Sequence, residues 1–192
     1  MKFIKRALFL ASITITPVAV YISNPFEIPT ENIRPRILGH DIYRIPSKSM
    51  LPTLAPDDYI IVSNVAYQNA LPKKGDIIVF KRISKKDSTK TIPYIKRVIA
   101  IAGNTIKIKD GIVLVNGQPL IEDYIKPENT QRPYSRFQPT RTVPDGMVFV
   151  LGDNRDNSAD SRIFGFVAVI DIIGQATTLI AGKNKRFWRQ LK

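Results

Sequence analysis

The sequence reads YIKRVIAI from Tyr94 to Ile101, and this is the longest of the strand-like runs that decide the fold. Apolar residues, most of them β-branched, surround two charged ones, a composition typical of a strand within a sheet. Successive side chains point to opposite faces of a strand, so Lys96 and Val98 share one face and Arg97 lies on the other. We therefore expect one of the two basic side chains to point toward the core.

Six further runs have the same strand-like character, and turn-forming residues separate them. The pairs Asp110-Gly111 and Asn116-Gly117 are strong turn signals, and they frame a small β-ribbon over Thr105–Leu120. Residues 122–145 are polar and rich in proline and arginine, which predicts a loop. The pattern as a whole predicts a mostly β fold. The six runs are Tyr59–Val62, Ile77–Phe80, Thr105–Ile108, Ile112–Val115, Val148–Leu151 and Gly174–Ile180.

Composition excludes several kinds of site. The chain has 192 residues, of which 44% are hydrophobic, enough for one domain with a core and a small insert. It contains no cysteine, which excludes disulfides, thiolate catalysis and cysteine–zinc sites. His40 is the only histidine, so a multi-histidine metal site is impossible, and a Ser-His-Asp triad would have to use this residue.

The chain is strongly basic. It has 29 lysines and arginines against 16 acidic residues, a net charge of +13. Such a charge favours contact with an anionic partner, either nucleic acid or lipid head groups, although it also serves simple solubility.

A basic and then apolar N-terminus predicts a membrane segment. Lys2, Lys5 and Arg6 precede an uncharged run, Ala7–Ile22. The run would be about 24 Å long as a helix, against a bilayer core of about 30 Å. It fits either a cleaved signal peptide or an uncleaved anchor whose basic end stays in the cytoplasm. We favour the anchor, because Tyr21–Pro25 offers a poor small-x-small cleavage pattern.

These patterns predict a domain layout. An N-terminal anchor occupies residues 1–24 and a linker residues 25–42. The main β domain comprises residues 43–104 and 145–182, with a β-ribbon and loop insert at 105–144 and a basic tail at 183–192.

Three stretches carry candidate chemistry. Ser49 lies between Pro46 and Pro52, which restrict the backbone around a possible nucleophile, although such a serine is commonly a turn residue. Burial would lower the pKa of Lys96 and let its neutral amine accept a proton from a serine, unless the side chain reaches solvent. The loop Gly152–Arg162 is dense in side chains that form local hydrogen bonds and could brace a catalytic group.

Together these stretches strongly resemble bacterial type I signal peptidases, a family of membrane peptidases with a Ser–Lys dyad. Four boxes occur in the family's order, which makes a chance match improbable. They are SKSMLPTL at Ser47–Leu54, GDIIVF at Gly75–Phe80, YIKRVI at Tyr94–Ile99 and GDNRDNSADSR at Gly152–Arg162.

The resemblance implies a fold and a role for each matching residue. The fold would be a signal-peptidase-like β-sheet domain with a small β-ribbon insert, preceded by one transmembrane helix. Ser49 would be the nucleophile and Lys96 its general base. Ser47 would donate to the oxyanion together with the Ser49 backbone N–H, and Ser158 would hydrogen-bond Lys96. The remaining residues implied are Asp160 and Arg162 as a supporting pair, Ile45 and Ile95 as the lining of a small pocket for alanine, and Tyr43 at its edge.

The chain departs from the family at two places. Lys48 stands beside the nucleophile where many members have glycine, which places an extra charge next to the substrate's path. The stretch Ala100–Asn104 also differs from the usual glycine- and proline-containing loop, but no implied catalytic group is lost there.

The resemblance also implies partners and a location. Substrates would be preproteins that carry signal peptides, cut after Ala-x-Ala-like sites, with no metal or cofactor and no nucleic acid. The chain would cross the bacterial cytoplasmic membrane once, keep its N-terminus in the cytoplasm, contact anionic lipid and place its catalytic domain on the outer face.

Three other functions fit parts of the sequence. A related peptidase of conjugation systems, which processes a pilin, shares the dyad. A self-cleaving repressor would also pair serine with lysine, but it needs an Ala-Gly site before Ser49, and the pairs Ala102-Gly103 and Ala181-Gly182 lie after it. A non-enzymatic basic module would bind lipid or nucleic acid, yet no groove-reading motif occurs.

Overall fold

The computed structural model describes residues 33–84, 87–182 and 188–191. Antiparallel strands dominate it, and helices occur only as short connections. The strands are β1 (His40–Arg44), β2 (Tyr59–Ser63), β3 (Ile77–Ile83), β4 (Thr91–Ile101), β5 (Thr105–Lys109), β6 (Ile112–Val115), β7 (Gln118–Pro119), β8 (Phe137–Thr142), β9 (Met147–Leu151), β10 (Val167–Ala168), β11 (Ile172–Ala181) and β12 (Arg189–Gln190). The helices are α1 (Ile33–Leu38), α2 (Pro133–Arg136) and α3 (Ser161–Phe164), with 3-10 turns at Pro127–Asn129, Arg155–Asn157 and Val169–Asp171.

The strands form two sheets. An eight-stranded sheet has the order β1-β2-β11-β3-β4-β9-β10, with β12 also paired to β11, and a four-stranded sheet has the order β7-β6-β5-β8. All seven runs predicted as strands occur as strands, so the mostly β fold is confirmed.

The large sheet is covered on both faces. In β3, Ile77 and Val79 pack into one apolar cluster, whereas Ile78 and Phe80 pack into another. This alternation follows from the two-residue period of a strand. The small sheet packs on a third cluster that includes Ile99 of β4. Strand β4 lies between β3 and β9, and consequently residues 95–100 are all buried.

The two predicted turns join the strands of the small sheet. Asp110 and Gly111 have φ values of 52° and 85°, and they connect β5 to β6. Asn116 and Gly117 have φ values of 53° and 77°, and they connect β6 to β7. Two consecutive positive φ values are the signature of a type I′ hairpin, which Asn-Gly and Asp-Gly favour.

A strand lies within the stretch that the sequence predicts to be a loop. In residues 122–145, β8 pairs with β5, with Thr105 opposite Thr142 and Lys109 opposite Phe137. Only Gln138 of β8 is buried, because the strand lies at the edge of the small sheet. An edge strand with polar, solvent-facing side chains has no hydrophobic alternation to reveal it.

The predicted linker over 25–42 also contains ordered elements. It includes α1 and most of β1, and β1 pairs with β2 from His40 opposite Ser63 to Arg44 opposite Tyr59. Polar residues in β1 and Pro35 in α1 conceal this order from the sequence pattern. In the predicted tail over 183–192, Arg189 and Gln190 pair with β11 as β12.

No helix among the described residues is long and apolar enough to cross a membrane. The anchor predicted for residues 1–24 lies outside the described ranges.

Candidate active site

Ser49 lies in a loop that is fixed at both ends to the core. The loop follows β1, and Ile45 exchanges backbone hydrogen bonds of 2.8 Å with Asp57 and Asp58. Met50 and Leu54 are completely buried, and the Leu54 N–H donates to the Met50 carbonyl at 2.8 Å. These anchors on either side of Ser49 hold its hydroxyl in one position.

The Ser49 hydroxyl contacts the amine of Lys96. Lys96 Nζ lies 2.9 Å from Ser49 Oγ and 2.7 Å from the carbonyl oxygen of Ile95, to which it donates. Only 3% of Lys96 and 8% of Ser49 are exposed. A serine hydroxyl at this distance can transfer its proton to the amine, provided that the amine is neutral.

The surroundings of Lys96 favour the neutral amine. Burial lowers the pKa of Lys96 from 10.5 to about 8, and the negative charges of Asp160 and Asp153 oppose this shift in part. The Lys96 side chain is buried because β4 lies inside the large sheet and both faces of this sheet are covered. A lysine with a pKa of about 8 is neutral in about a tenth of the molecules at pH 7, compared with far fewer for an exposed lysine.

Ser47 lies next to Ser49 on the exposed side of the loop. Its Oγ is 3.2 Å from Ser49 Oγ. A rotation of the Ser47 hydroxyl would direct its proton toward an oxygen bound beside Ser49.

The dyad opens into a cleft. The cleft has a volume of about 360 Å³, and Ser47, Ser49 and Lys96 line it together with Asn157 and Ala159. A smaller adjoining cavity of about 80 Å³ is bounded by Tyr43, Ile45 and Ile95 among others. The structure thus brings the three residues predicted for a substrate pocket together, in a cavity that shares Ile95 with the cleft beside Ser49.

Asp160 and Arg162, at the end of the loop Gly152–Arg162, form an ion pair with buried side chains. Arg162 Nε lies 2.8 Å from Asp160 Oδ1, and Arg162 Nη2 lies 2.7 Å from Oδ2. Asp160 Oδ2 also accepts a bond of 3.0 Å from the Gly152 N–H. The pair therefore fixes the start of the loop where it passes the dyad.

The hydrogen bond expected between Ser158 and Lys96 is not formed. The Ser158 hydroxyl is buried and has no hydrogen-bond partner among the described residues. The Lys96 amine instead contacts Ser49 and Ile95, as described above. Ser158 lies against Gly152, where a Cβ atom would come within 2.2 Å of Ser158 Oγ and 2.5 Å of the Ser49 carbonyl oxygen. Only glycine at position 152 lets the backbone pass between these two serines.

A second buried ion pair was not assigned from the sequence. Arg97 Nε and Nη2 lie 2.9 Å and 2.8 Å from the two carboxylate oxygens of Asp153, and Arg97 Nη1 donates to the Gly75 carbonyl at 2.9 Å. The Tyr124 ring stacks on the guanidinium at 3.9 Å. Sequence alternation predicts one basic residue of β4 in the core, whereas both Lys96 and Arg97 are buried. The sequence did contain a signal for this pair. Two adjacent charged residues in an apolar strand place one charge on each face, so a buried acidic partner was to be expected.

The segment between β7 and β8, part of the insert, contacts Arg155 and Asp156 of the loop Gly152–Arg162. Glu122 accepts hydrogen bonds from both terminal nitrogens of Arg155. The carboxylate of Asp156 accepts from the backbone N–H groups of Gln131 and Arg132 at 2.9 Å and 3.1 Å. These contacts bind the loop Gly152–Arg162 to the insert. The loop is therefore held by β4 through Asp153 and by the insert through Arg155 and Asp156.

We expect Arg97→Met to destabilise the protein by about 3–5 kcal/mol, because it leaves the Asp153 carboxylate buried without its cation. Arg44→Met is the matched control: it breaks an ion pair with Asp57 whose arginine side chain is 64% exposed, so the loss of stability should be much smaller. Denaturant unfolding of the full-length protein in detergent measures both. Equal losses for the two variants would contradict a structural role for the Arg97–Asp153 pair.

Comparisons with known proteins identify the family of the chain. Residues 36–181 match the family described as signal peptidase, peptidase S26. The chain is 46% identical over 135 residues to a probable signal peptidase I-1 of Synechocystis sp., covering 69% of this chain and 66% of that protein. It is 42% identical over 147 residues to a signal peptidase I of Leptolyngbya laminosa, covering 75% and 66%. A signal peptidase I of Bacillus caldolyticus is 38% identical over 149 residues, covering 73% and 79%.

The matched region thus spans just under two thirds of the first two relatives, 66% of each. The family match extends from α1 to the end of β11 and includes the Ser49 loop, β4 with Lys96, and the loop Gly152–Arg162. The resemblance noted in the sequence is confirmed, and the chain belongs to the signal peptidase family, peptidase S26.

Proposed function

We propose that this protein is a membrane-bound serine endopeptidase that removes N-terminal signal peptides from exported preproteins. The observation that carries the proposal is the 2.9 Å contact between Ser49 Oγ and the buried amine of Lys96 at the wall of a cleft. The three relatives described above carry the name signal peptidase I, which supports this class of substrate.

In the first step, the neutral Lys96 amine takes the proton of the Ser49 hydroxyl while Ser49 Oγ attacks the carbonyl carbon before the scissile bond. The C=O double bond becomes a single bond, and its oxygen carries the negative charge. Lys96, now an ammonium, donates its proton to the leaving nitrogen as the C–N bond breaks and the C=O double bond forms again. The mature protein departs and the signal peptide remains as an ester on Ser49.

The second step releases the signal peptide. Water attacks the ester carbon while Lys96 takes a proton from this water and returns it to Ser49 Oγ. In both steps the oxyanion would accept hydrogen bonds from the Ser47 hydroxyl and the Ser49 backbone N–H, which are stronger in the transition state than in the ground state.

The small cavity beside Ser49 accounts for a preference for small residues. Its walls include Tyr43, Ile45 and Ile95, and the last two are almost completely buried within the core. A rigid apolar wall accepts a methyl group and excludes a large side chain by steric clash. We therefore propose cleavage after small-x-small sequences.

We further propose that residues 1–24 anchor the protein in the membrane, with the basic end in the cytoplasm and the catalytic domain on the outer face. The net charge of +13 would favour anionic lipid head groups as neighbours.

The test is cleavage of a purified preprotein whose signal peptide ends in Ala-x-Ala, by the full-length protein in detergent or lipid. We expect one cut after the second alanine, identified by the mass and the N-terminal sequence of the product. The matched substrate has phenylalanine in place of that second alanine and should be cut at least about tenfold more slowly. No cleavage of the first substrate, or equal rates for both, would contradict the proposal.

A further inference from the structure

Asn154 connects the supporting loop to the nucleophile by two hydrogen bonds. Its backbone N–H donates to the carbonyl of Ser49 at 3.0 Å, and its side-chain Nδ2 donates to the carbonyl of Lys48 at 3.1 Å. Asn154 itself is only 5% exposed. The two bonds hold the carbonyl groups on either side of the Ser49 Cα atom.

The bond to Lys48 has a geometric consequence for Ser49. The Lys48 carbonyl and the Ser49 N–H belong to one peptide group, which is planar, and in its trans form they point in opposite directions. The Leu51 N–H donates to the same Lys48 carbonyl at 3.2 Å, so this oxygen is held by two donors. As long as both bonds persist, the peptide group cannot rotate, and the Ser49 N–H must point away from Asn154.

The Ser49 N–H has no acceptor within the described part of the chain. Ser47 and Ser49 line the cleft, whereas Asn154 is buried behind the loop. An N–H group that points away from Asn154 therefore faces the side on which a substrate carbonyl would lie.

We propose that Asn154 is a positioning residue for the oxyanion site, acting on the Ser49 N–H through the Lys48–Ser49 peptide group. This inference rests on the proposed peptidase function. Asn154 touches neither substrate nor the reacting atoms. Its amide fixes the plane of the donor before the reaction, which removes the cost of reorienting that dipole as charge develops on the substrate oxygen.

The same bond also polarises the donor. A hydrogen bond accepted by a carbonyl withdraws electron density from the attached N–H, so donors in a connected chain strengthen one another. The Asn154 amide thus both orients the Ser49 N–H and makes it a better donor. Neither effect requires a change in Lys96 or in the substrate pocket.

The test compares Asn154→Ala with Asn64→Ala in the full-length protein. Both changes remove an amide that donates to one backbone carbonyl, and Asn64 Nδ2 contacts the Ile173 carbonyl at 3.3 Å, between β2 and β11. We expect Asn154→Ala to lower kcat for the Ala-x-Ala preprotein by about tenfold or more, below the 10²–10³-fold effect of losing a whole oxyanion donor. KM and the pH midpoint of kcat/KM should stay unchanged, and Asn64→Ala should keep the wild-type kcat.

These readouts separate positioning of the oxyanion donor from a general loss of structure. A displaced dyad would move the pH midpoint, and a damaged pocket would raise KM. Asn154→Asp keeps the shape but places an acceptor against the Lys48 carbonyl, so its kcat should fall at least as far; it also provides the test if Asn154→Ala does not fold. A kcat within twofold of wild type in a folded variant, or a loss that appears only in KM, overturns the inference. Absence of cleavage by the wild-type protein would instead overturn the proposed function on which it rests.

Discussion

Ser49→Ala is expected to lower kcat/KM for an Ala-x-Ala preprotein by about 10⁴-fold or more, the size of effect seen when a serine peptidase loses its nucleophile. The change removes only one oxygen atom, but no other hydroxyl can replace it without movement. Ser47 Oγ is 3.2 Å from Ser49 Oγ and is not the atom that contacts Lys96 in the structure. The measurement is product formation by mass spectrometry over a time course long enough to detect the residual rate.

The matched control is Ser63→Ala in β2, because the two serines are similarly buried, 7% for Ser63 and 8% for Ser49. Ser63→Ala should retain wild-type kcat/KM. Ser49→Ala should still bind a signal peptide with unchanged Kd, because the cleft and the small cavity are intact. Retained cleavage by Ser49→Ala would remove this residue as the nucleophile, whereas loss of both binding and cleavage would show that the change had damaged the fold.

The central strands of the large sheet and the tight turns of the small sheet were predictable because each carries a local sequence signal. Residues 94–101 alternate across a central strand, and the glycine-containing pairs at 110–111 and 116–117 define their turns through φ values that few residues tolerate. Strand β8 was missed because its side chains face solvent, and β1 was missed because polar residues interrupt it. Edge strands are stabilised mainly by backbone hydrogen bonds, so their side-chain sequence need not show hydrophobic alternation.

The residues of the candidate site were named from a resemblance, and the structure brings them together for reasons that the sequence could not supply. Ser49 and Lys96 are 47 positions apart and meet at 2.9 Å, because the loop after β1 packs against β4. The buried Arg97–Asp153 pair lies on the opposite side of β4 from Lys96 and links this strand to the supporting loop. Sequence alone shows that charged residues are present in a buried strand, but not which partner neutralises them.

Ser158 shows that a contact implied by a family resemblance need not form in every member. Its hydroxyl lies close to the dyad, as the resemblance implies, yet it makes no hydrogen bond among the described residues. An unsatisfied buried hydroxyl typically costs about 1–3 kcal/mol. The motif indicates which residue lies in this place, but not whether its hydroxyl bonds the lysine amine.

Lys96→Met is expected to lower kcat/KM by about 10⁴-fold, because a thioether cannot accept the serine proton. The same change should stabilise the protein at neutral pH. Burial lowers the pKa of Lys96 from 10.5 to about 8, so below pH 8 the fold must hold a buried ammonium. The corresponding cost is on the order of 3 kcal/mol, and methionine fills a similar volume without it.

The pH dependence of this gain follows from proton binding. Between pH 8 and 10.5 the unfolded chain keeps the proton on Lys96 whereas the folded chain has lost it. The unfolded state therefore binds more protons in this window, and the stability of the wild-type protein rises with pH. The advantage of Lys96→Met in denaturant unfolding should accordingly shrink from pH 8 upward. Lys109→Met, which changes an exposed lysine of β5, should alter neither activity nor this slope.

The pH dependence of wild-type activity should also report the pKa of Lys96. If neutral Lys96 is the base, kcat/KM rises about tenfold per pH unit below pH 8 and levels off above it. The carboxylate of Asp160 raises the pKa of Lys96, so Asp160→Asn should shift the midpoint to lower pH in any variant that remains folded. Activity that keeps rising as the pH falls below about 6 would exclude a lysine base. A dyad built on a buried lysine thus predicts that the group most needed for catalysis is also one that lowers the stability of the fold.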